Sequence, residues 1–265
     1  MDMYKVIISD FDGTLVGVNY KLSKKLKHAV SEWLRAGKFF SVATGKAFVP
    51  MLTNALEELN ITSPIIINGG AEIISWRSKE ILFSAYITPD IAQAICNLLT
   101  QHNYPFVVVK TDKVYSFSKE NDLHKEDISF RDLSKLANYH NISKIRITTT
   151  DLQEDIVENF VKQEITDVYP TINVVRGYTP SSKGYDITSV NATKQLAMIK
   201  LFELLKIDRS EVIGIGDGFN DYSLLTACGY KVALENAPED LKSIADYIAP
   251  SADKDGVADV IYKHI

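Results

Sequence analysis

The first third of the chain alternates short apolar runs with amphipathic stretches. Apolar runs of strand length occupy residues 4–9, 38–43 and 64–68. A helix is predicted over residues 23–35, because apolar side chains from Leu26 to Leu34 recur at helical spacing, and a second is predicted to end near Leu59. Near-continuous apolar strands joined by helices indicate a parallel sheet covered on both faces.

The pattern changes near residue 84. A hairpin is predicted over 72–83, and beyond it more hairpin strands mix with helices in place of the regular strand–helix alternation. The strands are expected at residues 105–110, 113–117, 144–149, 171–176 and 185–188, and the helices at 88–102 and 152–162. The polar stretch 118–141 carries only weak helical signals. Hairpins and helices mixed in this way predict an α+β insert.

The strand–helix alternation returns after Asn191. The pattern predicts a helix at 193–205, a strand at 211–215, a helix at 220–227, a strand at 230–234 and two short terminal helices. The chain is therefore predicted to have an α/β fold. Its Rossmann-like parallel sheet core would comprise residues 1–83 and 188–265, and residues 84–187 would form the inserted α+β domain.

Composition and charge narrow the classes of partner. Apolar residues make up 46% of the chain, but no run approaches the ~18 residues of a membrane span. The N-terminus does not resemble a signal peptide, and Cys96 and Cys228 are expected to be small buried hydrophobes, so a reducing cytoplasm is expected. The net charge is −5 with dispersed lysines, which favours neither nucleic acid nor an anionic membrane. A phosphate ligand would need a local site.

Candidate chemistry begins at Asp10-Phe11-Asp12-Gly13-Thr14, directly after the first strand. Two acids two residues apart point the same way from an extended chain. Such acids repel one another, so they need a cation between them or a raised pKa on one. Gly13 permits a sharp turn, and Thr14 is expected to cap the segment after it. The pair suits a nucleophilic carboxylate beside a general acid/base, whereas a plain Asp-Gly turn leaves Asp10 unexplained.

Two weaker signals follow later strands and helices. Thr44 and Gly45 offer a hydroxyl and a flexible backbone that suit an anion, although such a pair taken alone is expected only to cap a helix. Lys194 lies in the first turn of a helix, where it opposes the helix dipole. A nearby acid cluster or a phosphate would explain that position, but a lone lysine is expected at the surface.

The fourth segment is Gly-rich and acidic, and runs from Gly214 to Asp221. Asp217 and Asp221, joined to Asp10 and Asp12, would form an oxygen-rich site of the kind that magnesium prefers. A dinucleotide-binding fingerprint is the rival interpretation, supported by Glu235 about twenty residues on. It fails because Phe219 replaces the third glycine and Asp217 would face the pyrophosphate.

In this order the four motifs resemble the haloacid dehalogenase superfamily of phosphohydrolases. Within it, the chain is similar to the Cof-type branch, which carries a large α+β cap of the C2 type between the second and third motifs. The segments Glu235-Asn236-Ala237 and Asp255-Gly256-Val257-Ala258 also look like that branch. Lys46, where arginine is frequent, and Gln195, where glycine is frequent, depart from it. The motifs cover the predicted core, while the insert matches the cap in length and position only.

The resemblance implies a role for each matching residue. Asp10 would be the nucleophile and Asp12 the general acid/base. The magnesium ligands would be Asp10, Asp12 through its backbone carbonyl, and Asp217, with Asp221 orienting them. The residues holding the transferring phosphoryl group would be Thr44, Gly45, Lys194 and Asn220. The insert would exclude water and select the leaving group.

The implied activity is a magnesium-dependent phosphatase for small phosphorylated metabolites, sugar phosphates above all, acting through an aspartyl phosphate on Asp10. The alternatives are a phosphomutase of the same superfamily, a phosphate-binding regulator without turnover, and a nicotinamide oxidoreductase. Asp12 argues against the related ATPase pumps, which lack the second acid. The physiological substrate, the insert residues that select it and the oligomeric state do not follow from the sequence; Arg176, Lys183 and Tyr185 are candidates for that selection.

Overall fold

The computed structural model describes residues 3–117, 130–149, 154–179 and 182–265. The strands are β1 (Val6–Ser9), β2 (Phe39–Val42), β3 (Ile65–Ile67), β4 (Glu72–Ser75), β5 (Glu80–Ser84), β6 (Phe106–Lys110), β7 (Lys113–Ser116), β8 (Phe130–Asp132), β9 (Lys144–Thr148), β10 (Ile172–Thr179), β11 (Ser182–Ser189), β12 (Val212–Gly216), β13 (Tyr230–Leu234) and β14 (Tyr247–Ala249). The helices are α1 (Lys24–Arg35), α2 (Pro50–Glu58), α3 (Pro89–Gln101), α4 (Glu154–Phe160), α5 (Lys194–Leu205), α6 (Tyr222–Ala227), α7 (Glu239–Ser243) and α8 (Gly256–His264). Among these helices, none combines the length and hydropathy needed to cross a membrane.

The chain divides into two compact units. The first comprises Met1–Lys46, Leu52–Phe83 and Thr193–Ile265, and the second comprises Ala47–Met51 and Ser84–Ala192. The second unit therefore takes five residues from the segment between β2 and α2. Phe48 is held in that unit by its N–H, which donates to the carbonyl of Thr111 at 3.0 Å.

The first unit contains the predicted parallel sheet. Its strand order is β14-β13-β12-β1-β2, and every neighbouring pair is parallel. The interior strand β1 is fully buried, with Ile7 and Ile8 at 0% exposure, because helices cover both faces of such a sheet. The α/β class and the parallel core are confirmed.

Two details of the core differ from the sequence prediction. The third apolar run does not extend the five-stranded sheet; β3 pairs antiparallel with β4 in a separate three-stranded sheet and touches the main one through a single parallel bridge from Ala43 to Ile66. The end of the chain was predicted to be helical, yet β14 adds an edge strand beside β13. Three residues, Tyr247-Ile248-Ala249, are too few to show a strand period in sequence.

The second unit is built on a six-stranded sheet of order β10-β11-β9-β6-β7-β8. One face of it packs on a buried apolar cluster to which α3 and α4 contribute Ile95, Leu99 and Val157. This is the mixed α+β architecture expected of the insert. The sequence carries weak helical signals over residues 118–141. Residues 118–129 lie outside the part of the chain that the structure describes, and the first described element after them is the strand β8.

Both cysteines are buried free thiols, as expected. Cys96 lies in the apolar cluster of the second unit and Cys228 in that of the first. Burial raises the pKa of the Cys96 thiol to about 12, and it raises that of Cys228 as well. Thiols held protonated in apolar surroundings are poor nucleophiles, so both serve packing.

Candidate active site

Parallel pairing brings the first and fourth motifs to one edge of the sheet. β1 ends at Ser9 and β12 at Gly216, and these two strands are neighbours. The ladder continues one residue further, because the N–H of Asp10 donates to the carbonyl of Ile215 at 2.9 Å. Asp10 and Asp217 therefore emerge side by side at the carboxyl ends of adjacent strands, which is where open α/β sheets bind ligands.

Lys194 lies inside this edge, paired with two carboxylates. Its Nζ is 2.6 Å from Oδ1 of Asp10 and 2.6 Å from Oδ1 of Asp221. The three side chains are 2%, 6% and 0% exposed, respectively. A lone lysine was expected at the surface, and for Lys194 that expectation is wrong. Thr193 caps α5 by accepting from the N–H of Leu196, so the helix begins beside the acids.

The pKa values reflect this burial. Loss of solvent and the neighbouring carboxylate of Asp221 raise the pKa of Asp10 well above its usual range, against the opposing effect of Lys194. Burial works to lower the pKa of Lys194, but Asp10 and Asp221 more than offset it and the pKa is raised. Burial also raises the pKa of Asp217 to about 6. The site thus holds more negative charge than its lysine satisfies.

Asp221 organises the turn that carries Asp217. Its Oδ2 accepts hydrogen bonds from the N–H groups of Asp217, at 3.0 Å, and Gly218, at 2.9 Å, while Oδ1 accepts from Lys194. The turn runs into a single helical turn, Phe219–Asp221, ahead of α6. Asn220 is an exposed residue of this helical turn. The structure therefore does not place it in the buried cluster of Asp10, Lys194 and Asp221.

Two side chains hold the carboxylate of Asp217. Thr14 donates from Oγ1 to Oδ1 at 2.6 Å, and Asn236 donates from Nδ2 to Oδ2 at 2.9 Å. Thr14 was expected to cap the segment after it, and that expectation is wrong. Gly13 makes the approach possible, because it has a φ of +79° and a Cβ there would lie 2.4 Å from Oδ2 of Asp217. Asn236 was not among the predicted site residues. The one signal for it in the sequence was the resemblance of Glu235-Asn236-Ala237 to the Cof-type branch.

A metal ion would fit among the acids. Asp10, Asp217 and Asp221 each offer an oxygen, and these oxygens lie within 4.8 Å of one another. Both oxygens of Asp221 already accept hydrogen bonds from protein donors, and so do both oxygens of Asp217. Asp221 is fully buried and Asp217 only half-buried, so Asp217 is the more accessible of the two to an ion that keeps water ligands. Clustered carboxylates with raised pKa values suit a small hard divalent cation.

The second motif lies in a loop rather than at a helix start. Oγ1 of Thr44 accepts from the N–H of Lys46 at 3.1 Å, and α2 begins only at Pro50, so Thr44 and Gly45 do not cap it. Nζ of Lys46 is 3.0 Å from Oδ1 of Asp12, whose side chain is 40% exposed. The space beside Gly45 is open to 4 Å.

The turn after β3 ties this loop to Lys194, which the sequence did not indicate. The N–H of Asn68 donates to the carbonyl of Lys46 at 2.8 Å, and that of Gly69 to the carbonyl of Thr44 at 3.0 Å. Gly70 packs against the start of α5: a Cβ there would lie 2.2 Å from the carbonyl carbon of Thr193. A turn at Asn68-Gly69-Gly70 was predicted, but not its contacts.

Comparison with known proteins agrees with the family that the four motifs resemble. The haloacid dehalogenase-like hydrolase family matches residues 7–261. The 5-amino-6-(5-phospho-D-ribitylamino)uracil phosphatase YcsE of Bacillus subtilis is 26% identical across 97% of this chain and 94% of its own length. A haloacid dehalogenase-like hydrolase from Bacteroides thetaiotaomicron has a crystal structure similar at a TM-score of 0.85 and 23% identity, covering 99% of this chain and 100% of that one.

One relative is much longer. The chloroplastic endoribonuclease YBEY of Arabidopsis thaliana is 26% identical across 98% of this chain, but the chain spans only 46% of that protein. The endoribonuclease name belongs to a protein of about twice the length. The family match, in contrast, covers both ends of the sheet and all four motifs. The chain belongs to the haloacid dehalogenase-like hydrolases of the Cof type and is an enzyme of the phosphatase class.

Proposed function

We propose that this protein is a magnesium-dependent phosphatase that hydrolyses small phosphorylated metabolites through an aspartyl phosphate on Asp10. The observation that carries the proposal is the buried Lys194 held between Asp10 and Asp221, with the carboxylate of Asp217 in the same cluster. A phosphate monoester is an anion, so the carboxylate of Asp10 can approach it only where positive charge offsets their repulsion. Magnesium held by Asp10 and Asp217 would supply the rest of that charge.

Asp10 is the proposed nucleophile. It is 4% exposed, and Lys194 fixes one of its oxygens, which leaves the other to attack phosphorus. The bond from Asp10 to phosphorus forms as the bond to the leaving oxygen breaks. Lys194 bridges Asp10 and Asp221 and thus holds the nucleophile in one orientation, as in-line transfer requires.

Asp12 is the proposed general acid and base. Its carboxyl group is more exposed than that of Asp10 and lies beside Lys46, so it can exchange protons with a substrate and with water. In the first step it protonates the leaving oxygen. In the second it removes a proton from the water that hydrolyses the aspartyl phosphate. Such help is worth roughly 10²–10⁴-fold in rate.

The remaining predicted residues would stabilise the transferring phosphoryl group. The hydroxyl of Thr44, the backbone beside Gly45 and the amide of Asn220 are donors that suit the equatorial oxygens of the transition state. The open space beside Gly45 supports this assignment, because an anion could approach the backbone there. Asp12 would add its backbone carbonyl to the magnesium ligands.

The proposed substrates are sugar phosphates and similar phosphorylated metabolites. The support is the Bacillus subtilis relative, whose named substrate carries a phosphorylated ribityl chain. We further propose that residues 84–187 form the cap that selects among such substrates, since all four motifs lie outside that segment.

The phosphoenzyme tests the mechanism directly. Wild-type protein mixed with labelled p-nitrophenyl phosphate and magnesium, then quenched in acid, should carry label on Asp10. Asp10→Asn should neither turn over nor retain label, while the control Asp240→Asn, at an exposed position of α7, should do both. Full activity in Asp10→Asn would exclude the covalent route.

A further inference from the structure

The sheet of the second unit carries a buried arginine on the face opposite its apolar cluster. Ile145 and Ile147 of β9 belong to that cluster. Side chains alternate along a strand, so Lys144, Arg146 and Thr148 project from the other face. Arg146 is only 6% exposed there, which is unusual for arginine and calls for partners.

Asp186 accepts a hydrogen bond from one nitrogen of the Arg146 guanidinium group. Arg146 lies opposite Asp186 of β11 in the ladder, and its Nη1 donates to Oδ1 of Asp186 at 2.9 Å. Nζ of Lys144 lies 3.4 Å from the other oxygen of the same carboxylate. Burial works to raise the pKa of Asp186, but the two cations more than offset it and the pKa is lowered. Asp186 is therefore an anion that orients Arg146.

The other edge of the guanidinium group lacks an acceptor. Nε and Nη2 of Arg146 are buried and have no hydrogen-bond partner among the residues that the structure describes. These two nitrogens lie on the same edge, where their N–H bonds run parallel and match the two oxygens of a carboxylate or phosphate. Buried charged donors without an acceptor are costly, so native proteins seldom keep them unless something binds.

We propose that Nε and Nη2 of Arg146 bind an anionic group, a carboxylate or phosphate, in a bidentate contact. Asp186 orients the guanidinium group through its contact with Nη1, and Lys144 adds positive charge nearby. The anion is a free carboxylate or phosphate compound that binds on its own at this face of the second unit. The candidates drawn from the sequence differ: Tyr185 packs in the apolar cluster, and Arg176 pairs with Glu158 at 3.8 Å.

Arginine side-chain NMR tests the site independently of activity. In protein labelled with ¹⁵N arginine, the Nε–Hε signal of Arg146 is assigned by its loss in Arg146→Lys. Titration with malonate or inorganic phosphate should shift that signal saturably. The signal of Arg131, an exposed arginine of β8 in the same sheet, should not saturate. Shifts that are linear and equal at the two arginines would overturn the proposal, since water then satisfies the donors.

Calorimetry of malonate binding gives a second readout. Arg146→Met should weaken malonate binding by about tenfold or more. Arg131→Met should leave malonate binding unchanged. Arg146→Lys keeps the charge but not the parallel donors, so in a folded protein it should resemble Arg146→Met.

The outcomes remain separable from the proposed function. If wild type does not hydrolyse p-nitrophenyl phosphate, the phosphatase proposal fails, whereas a saturable Arg146 signal still supports the anion site. If p-nitrophenyl phosphate is hydrolysed but malonate binding does not depend on Arg146 and its NMR signal does not saturate, the anion site is refuted alone.

Discussion

Nζ of Lys194 lies 2.6 Å from Oδ1 of Asp10, with both side chains nearly excluded from solvent. The lysine comes from the first turn of α5 and the acid from the end of β1, 184 residues apart in sequence. Asp221 accepts from the same ammonium group. One cation thus neutralises part of a site with three buried or half-buried acids, which makes Lys194 important for both folding and chemistry.

We predict that Lys194→Met destabilises the protein by about 3–5 kcal/mol, because it leaves buried carboxylates without their cation. Lys200→Met is the matched control, since Lys200 lies on α5 too but pairs with Glu203 at the surface. That change should cost about 0–1 kcal/mol. Urea unfolding measures both, and equal losses would show that the buried pair contributes nothing special.

Magnesium should stabilise the protein more at pH 7.5 than at pH 5. The pKa of Asp217 is raised to about 6, so without metal its contribution to stability is lost as pH rises from its ordinary range through 6. The pKa of Asp10 is raised in the same sense. A cation relieves that penalty only where the acids are ionised. Thermal unfolding with magnesium or chelator at the two pH values measures it, and an equal shift at both would contradict it.

Removing the charge of Asp217, a proposed metal ligand, should lower the activity. Asp217→Asn keeps the size of the side chain but lacks the charge, and its single carbonyl oxygen can accept from only one of the two donors, Thr14 and Asn236. We expect it to lose most turnover, and its magnesium-dependent thermal shift should fall as well. Full hydrolysis of p-nitrophenyl phosphate by this variant, or by wild type in excess chelator, would exclude Asp217 as a metal ligand.

The role of Asp12 should depend on the leaving group. A nitrophenolate leaves without a proton, so Asp12→Asn should still be phosphorylated by p-nitrophenyl phosphate. Water has then lost its base, so the variant should release a burst of nitrophenol and accumulate acid-stable phosphoenzyme. With a sugar phosphate it should do neither, losing roughly 10²–10⁴-fold in rate. Equal losses on both esters without trapped phosphoenzyme would assign Asp12 to structure instead.

Gly70 should matter far more than its neighbour Gly69. Both have positive φ, at +104° and +73°, but only at Gly70 would a Cβ meet the backbone of Thr193. Gly69→Ala should therefore cost about 1–3 kcal/mol through backbone strain alone. Gly70→Ala should cost more and lower activity, because it displaces the start of α5 and Lys194 with it. Unfolding and initial rates compare the two, and matching effects would rule out the contact.

The sequence by itself determined the parallel core and the identity of the acids. Apolar runs of strand length placed β1 and β12, and the carboxyl ends of parallel strands meet at one edge, so Asp10 and Asp217 were predictable as neighbours. Polar motifs directly after buried strands carry this information locally, within a few residues. That is why the order of the motifs was enough to indicate the family.

Only the tertiary structure decided which side chains fix those acids. The local sequence suggested a surface position for Lys194 and a capping role for Thr14, whereas their actual buried contacts are with residues distant in sequence. Arg146 is likewise one polar residue in an alternating strand until the ladder sets it opposite Asp186. The local sequence pattern indicates whether a segment is a strand or a helix. The pairing of buried donors with acceptors depends on how distant segments pack together, so it cannot be read from a local pattern.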